Sequence, residues 1–169
     1  MQANCTPNVN GARTWFPAIW LGCALLAGQA WAADLPFGPA EPNEITFAPQ
    51  PAKFVRLVLR NCPHSEPCLD ELEVYGPDGA ANLALAATGA KASASSLLPG
   101  YAIHQVSHLN DGRYGNSHSW IAAGTRSEWA QIELPQSRAV SKVVFTRDRE
   151  GRFTDRVPGR SKSACPRMG

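Results

Sequence analysis

The stretch Trp129-Ala130-Gln131-Ile132-Glu133-Leu134 decides the class of fold, because two kinds of side chain alternate along it. Its apolar members Ala130, Ile132 and Leu134 fall on one side of an extended chain and the other three residues on the opposite side, since successive side chains of a β-strand alternate. The pattern predicts a half-buried strand that ends at Pro135, and a further strand over 140–146 follows it.

Other segments carry the same kind of signal. Residues 53–59 and 69–76 are rich in β-forming side chains and predict two more strands. Residues 82–86 predict a short edge strand, whereas 97–119 contain several glycines and Asn-containing turns and predict a long loop. No segment has a helical period long enough to cover a parallel sheet. We therefore expect an all-β protein, an antiparallel β-sandwich or jelly roll.

The composition agrees with a turn-rich β protein. The chain has 169 residues, enough for one domain, and 14 Gly plus 14 Pro, while charged residues make up only 18%. The net charge of +2 is too small to indicate nucleic acid or an anionic membrane surface, either of which usually requires a clustered basic face. Nucleic acid is therefore not an expected partner.

Residues 1–32 have the order of a secretory signal. Arg13 lies in a polar start, an apolar run covers 15–28, and Ala30-Trp31-Ala32 forms a small-residue cleavage site. The run is shorter than the roughly 20 residues that a membrane span needs, and we expect no span in the mature chain. The sequence predicts cleavage after Ala32 and a secreted or periplasmic protein.

Export places the cysteines in an oxidising compartment, where disulfides form. Cys62 and Cys68 flank a short loop that contains Pro63 and Pro67, and we expect them to form a disulfide; the alternative is two free thiols. Cys165 is then left over, and no cluster of His and Cys around it favours zinc.

Five motifs follow one another over 82–158: Asn82-Leu83-Ala84, Asn110-Asp111-Gly112, Ser119-Trp120, the strand 128–135 and Arg147-Asp148-Arg149. With these motifs the segment resembles a discoidin domain, also called the coagulation factor 5/8 type C domain, and is closest to the bacterial secreted versions. The resemblance implies a galactose-binding-like jelly roll.

Residues 53–76 resemble the last two strands of such a domain, although here they come first. Either they complete the same sheet as a circular permutation, or they end a preceding domain that is largely missing. Before them, 33–52 form a Pro-rich leader with a short strand at 45–47. After Pro158 the resemblance stops, and we expect the basic tail 159–169 to be disordered; a truncated or frame-shifted gene product is the sharper hypothesis.

The loop 110–117 offers a carboxylate, amides and carbonyls, which suit a hard cation such as Ca²⁺. The resemblance implies a structural calcium held by Asp111 and Glu71, with Asn116 or Ser117 as further ligands. The alternative is an Asp-Gly turn without a metal.

Sugar-binding members of the related families use an exposed aromatic ring with His, Arg and Asn side chains, the ring stacking on the sugar. The candidates here are Tyr101, His104, Tyr114, His118, Arg147 and Arg149. Trp120 and Trp129 are instead expected in the core, and the segment 147–149 is equally well explained as an internal salt-bridged turn. His104 and His108 are four apart in a non-helical stretch, which disfavours a metal pair.

Little in the sequence points to catalysis. The run around Ser117 and His118 lacks the G-x-S-x-G spacing of a hydrolase nucleophile. We therefore expect a secreted, non-catalytic module that binds a carbohydrate or another extracellular ligand. The alternative is a structural or interaction fragment, an accessory part of a larger exported protein whose other domains carry the activity.

Overall fold

The computed structural model describes residues 34–35, 37–39, 41–60, 62, 65–157 and 160–162. The predicted signal segment and Cys165 lie outside these residues. Every pairing between the described strands is antiparallel, and the described helices are three short 3-10 turns. The prediction of an all-β fold is confirmed. None of the described helices has the length and apolar character needed to cross a membrane.

The described strands are β1 (Asp34–Leu35), β2 (Asn43–Arg60), β3 (Cys68–Leu69), β4 (Glu71–Tyr75), β5 (Lys91–Ala94), β6 (Trp120–Ile121), β7 (Ser127–Thr146) and β8 (Arg160–Lys162). The larger sheet has the order β1-β8-β2-β7-β4, and β5 also pairs with β7. Strands β3 and β6 form a separate two-stranded sheet.

Strand β7 is the centre of the larger sheet because both of its halves have neighbours on two sides. Its first half pairs with residues 54–60 of β2 and with β5, and its second half pairs with the start of β2 and with β4. Ala130, Ile132 and Leu134 are buried as the alternation predicts. Pro135 does not end the strand: it is exposed in the segment where the ladder to β2 is interrupted, so its missing N–H costs no ladder bond.

Strand β2 is longer than the sequence predicts. Residues 43–52 lie in the predicted leader, where a short strand was expected only at 45–47; they form the first part of β2 and pair with the end of β7. At the other end of the chain, residues 160–162 of the tail form β8 against residues 58–60 of β2. Residues 163–169 lie outside the described part of the chain.

The predicted strand at 82–86 is absent from the described structure. The side-chain oxygen of Asn82 accepts hydrogen bonds from the N–H groups of Val74 (3.0 Å) and Ala84 (2.9 Å). Such a bond to the residue two positions on favours a turn over an extended strand. The chain turns there, continues into the 3-10 turn Ala86–Thr88, and forms β5 in the small-residue stretch that follows.

The two predicted core tryptophans differ. Trp120 is fully buried, and its indole N–H donates to the Ser96 carbonyl at 2.7 Å. Trp129 is only half-buried, because the alternation of β7 places it on the outer face, where the Arg56 guanidinium lies 4.1 Å from the ring centre. The core prediction is confirmed for Trp120 but not for Trp129.

The predicted disulfide is not formed in the structure, where Cys62 and Cys68 are free and buried. Their backbone N–H groups donate to different segments, that of Cys62 to the Thr125 carbonyl and that of Cys68 to the Arg156 carbonyl. Burial raises the pKa of each thiol to about 11. At neutral pH both are therefore protonated thiols.

Candidate functional site

The long loop 97–119 lies against two other segments of the chain, the residues just before β4 and the residues just after β7. Glu71, the first residue of β4, lies opposite Thr146, the last residue of β7. The residues just before β4 and just after β7 therefore emerge at the same end of the sheet. The loop contributes two 3-10 turns there, Val106–Asn110 and Asn116–His118.

Asp70 joins the three segments. Its carboxylate accepts the hydroxyl of Thr146 and the backbone N–H groups of Gly115 (3.2 Å) and Arg149 (2.7 Å). Gly115 has φ of 90°, a left-handed backbone conformation that strains residues with a Cβ and favours glycine. The buried carboxylate thus fixes the loop to the sheet.

The predicted ligand residue Arg147 faces inward. Its side chain is only 2% exposed, and it donates to the carboxylate of Asp155 (2.8 Å) and to the amide oxygen of Asn116 (3.3 Å). Arg147 therefore links the segment after β7 to the turn at 116–118. The same contacts occupy the Asn116 oxygen, which was predicted to bind calcium.

Glu73 lies on the same strand as Glu71 and has a full set of partners. Its Oε1 accepts the hydroxyl of Tyr114 at 2.9 Å and its Oε2 that of Tyr75 at 2.8 Å. Arg149 Nη2 lies 2.8 Å from Oε1, and the guanidinium lies 3.9 Å from the Tyr114 ring centre. Burial, reinforced by the bond to Glu73, raises the pKa of both tyrosines, which therefore remain hydrogen-bond donors.

Glu71 differs from its acidic neighbours. It is fully buried, and its Oε1 accepts the Gly112 N–H at 3.2 Å, but Oε2 is buried without a hydrogen-bond partner. Burial raises its pKa to about 8; the Gly112 bond opposes this shift, and the negative charges of Asp111 and Glu73 add to it. A buried carboxyl with a free oxygen, among other acids, needs either a proton or a cation.

The predicted calcium ligands are brought together only in part. Glu71 accepts the N–H of Gly112, the residue after Asp111, and its free oxygen fits a hard cation that prefers oxygen ligands. Asp111 Oδ1 accepts the Arg113 N–H at 2.8 Å, while Oδ2 lies 3.2 Å from His118 Nδ1. Glu71 Oε2 is therefore free for the ion, whereas the Asn116 oxygen is used by Arg147.

The predicted sugar-contacting residues fall into two groups. Tyr114, which is 38% exposed, lies with Arg149 at Glu73, and His118, 30% exposed, lies beside Asp111. Tyr101 is 53% exposed, and its ring centre lies 5.8 Å from that of His104.

His104 is buried and fixed within the protein. Its Nδ1 lies 2.9 Å from the Ser119 hydroxyl oxygen. Burial lowers the pKa of His104, so the ring is neutral at pH 7. The structure thus places His104 among internal contacts rather than on an open surface.

A third group of residues, His108, Asp111 and His118, was not predicted from the sequence. His108 and His118 have ring centres 5.3 Å apart, and Asp111 lies with them, so that one potential ligand atom from each falls within 4.8 Å of the others. The only histidine pair considered from the sequence was His104 with His108, and their spacing disfavoured a metal pair. Two 3-10 turns instead bring together His108 and His118, which are ten positions apart. Such short turns have no periodic sequence pattern from which they could be predicted.

A cavity of about 270 Å³ lies elsewhere, between Asn82, Thr88 and the segment 134–138 of β7. It shares no lining residue with the groups described above.

No protein-family model matches the chain, and no curated protein matches it.

Proposed function

We propose that the chain is a non-catalytic binding module of discoidin type, a β-sandwich that binds a carbohydrate or another polar extracellular ligand through Tyr114, Arg149 and His118. The observation that carries the proposal is the stack of Arg149 on Tyr114. The guanidinium lies over one face of the ring, 3.9 Å from its centre, and Tyr114 as a whole stays 38% exposed. A second face of the ring is then the stacking surface for the apolar face of a sugar.

Unused donors beside the ring support a polar ligand. The Nε and Nη2 atoms of Arg149 are buried without a hydrogen-bond partner, although Nη2 lies within ion-pair distance of Glu73. Unpaired buried donors are costly, and hydroxyl or carboxylate oxygens of a ligand would satisfy them after a small movement of the side chain. This combination of one aromatic ring and a few polar groups is typical of ligand sites.

A calcium ion held by Glu71 and Asp111 would serve the site indirectly. It would supply a partner for the free oxygen of Glu71 and fix the Asp111-Gly112-Arg113 turn, which leads directly into Tyr114. We therefore expect saccharide binding to be stronger with calcium than with a chelator.

The buried Ser119–His104 contact supports a role without catalysis. The Ser119 hydroxyl donates to the Asn116 carbonyl at 2.9 Å, so the His104 Nδ1 at 2.9 Å must donate to the hydroxyl oxygen. A general base would have to accept the hydroxyl proton instead. The contact holds the loop together.

Saccharide binding by the exported protein tests the proposal. A panel of mono- and oligosaccharides is titrated in excess Ca²⁺, followed by Tyr114→Ala and by the control Tyr101→Ala, which removes an exposed aromatic ring of the same loop. Tyr114→Ala should abolish binding of the selected saccharide, and Tyr101→Ala should retain it.

Equal binding by the parent and Tyr114→Ala would show that the ligand lies elsewhere. No binding to any saccharide, with a cooperative melt, would favour the alternative, an accessory part of a larger exported protein.

A further inference from the structure

We propose that His108, Asp111 and His118 form a site for one transition-metal dication of the Zn²⁺ class. This inference goes beyond the proposed function, since it needs no saccharide and joins Asp111 and His118, which the proposed function gives to calcium and to the saccharide, with His108 around a different ion. It rests on the type, spacing and orientation of three side chains in the loop 97–119.

The spacing is close to that of a coordination sphere. Zinc bonds of about 2.0–2.2 Å in a tetrahedron place neighbouring ligand atoms about 3.3 Å apart. His118 Nδ1 and Asp111 Oδ2 are already 3.2 Å apart, and the three potential ligand atoms lie within 4.8 Å of one another. Side-chain rotations of both histidines, which are half-buried rather than packed in the core, would close the remaining gap.

His108 keeps one ring nitrogen free for a metal. Its Nδ1 lies 3.3 Å from the Ser119 carbonyl oxygen, which only accepts hydrogen bonds, so Nδ1 carries the proton. The Nε2 atom then has a free lone pair. A histidine that binds a metal through one nitrogen usually donates its other N–H to a carbonyl or carboxylate in this way.

The ligand types select the ion. Two imidazoles and one carboxylate suit zinc and neighbouring first-row metals, whereas calcium prefers oxygen ligands alone. Three protein ligands leave a fourth position for water or a ligand. His118 is 30% exposed, so that position is open to solvent. Glu71, whose Oε1 accepts the Gly112 N–H, is not one of the three ligands.

The test is a titration of the tag-free protein with Zn²⁺ in Ca²⁺-free buffer, using calorimetry. We expect one Zn²⁺ per chain, and His108→Gln and His118→Gln should each weaken binding by about tenfold or more, since loss of even a ligand's hydrogen-bond partner costs about 10–100-fold. The controls are Glu44→Gln, at an exposed site on β2, and Glu71→Gln, which removes the free carboxyl oxygen beside Gly112. Both should retain Zn²⁺ binding.

A measurement on the unchanged protein guards against variants that fail to fold. The chain has four histidines, and Zn²⁺ should shift the NMR ring signals of His108 and His118 without a comparable shift at His104. Absence of saturable 1:1 binding would overturn the proposal, as would unchanged affinity in both His108→Gln and His118→Gln, or a shift centred on other histidines. Saccharide binding is a separate readout, so the failure of one proposal leaves the other standing.

Discussion

The backbone N–H of Gly112 donates to Oε1 of Glu71 at 3.2 Å, while Oε2 of the same carboxyl is buried without a partner. The neighbouring carboxylates of Asp70 and Glu73 have donors for both oxygens. The loop therefore binds one oxygen of Glu71, and the other oxygen is left for a proton or a cation.

Glu71 should make the metal-free protein less stable as pH rises. Its pKa is about 8 in the folded chain against an ordinary value of 4.5. The folded state then binds more protons than the unfolded state between these values, so the stabilisation is fully present below pH 4.5 and is lost as pH rises through 8. At about 1.4 kcal/mol per pKa unit, the full shift corresponds to at most about 5 kcal/mol.

Urea unfolding in chelator at pH 5 and pH 8 measures this loss. Glu71→Gln keeps the shape of the protonated acid but cannot ionise, and should flatten this part of the pH dependence. Glu44→Gln, at an exposed site on β2, is the control and should keep the parent's pH dependence. An equally steep loss in Glu71→Gln would mean that another group titrates.

Calcium should raise the unfolding temperature of the parent protein at neutral pH. A ligand that binds only the folded state stabilises it, by about 2.7 kcal/mol at a hundred times its Kd. Glu71→Gln removes a charged ligand, and the calcium-dependent rise should shrink or vanish. Asp78→Asn, in an exposed turn, should respond to calcium as the parent does. Thermal melts with calcium and with chelator decide this; identical melts for the parent would exclude the ion.

Arg147 should matter for stability although it was predicted to contact a ligand. Arg147→Met removes the buried bonds to Asp155 and Asn116 and should lower the free energy of unfolding by about 2 kcal/mol. Arg152→Met changes a side chain that is 74% exposed and should cost no more than about 0.5 kcal/mol. Denaturant unfolding measures the free energy of unfolding of both variants. Equal values would mean that the contacts of Arg147 do not stabilise the site.

Local patterns along the chain predicted much of the sheet, but not the site. The alternation over 129–134 correctly assigned the inner face of β7, since burial in a strand repeats every two residues. It did not reveal that β7 continues past Pro135, because that depends on where its ladder to β2 is interrupted. Arg147 and Arg149 look alike in sequence, yet only the tertiary contacts distinguish a buried link from a half-exposed ring partner.

Trp120 and Trp129 offer the sharpest comparison of core and surface. Trp120→Ala removes a fully buried indole and leaves the Ser96 carbonyl without its donor, so it should cost about 3–5 kcal/mol of unfolding free energy. Trp129→Ala loses a half-buried ring and its contact with Arg56, and should cost clearly less. Urea unfolding of both variants measures the difference, and a Trp129→Ala loss equal to or larger than that of Trp120→Ala would place Trp129 in the core after all.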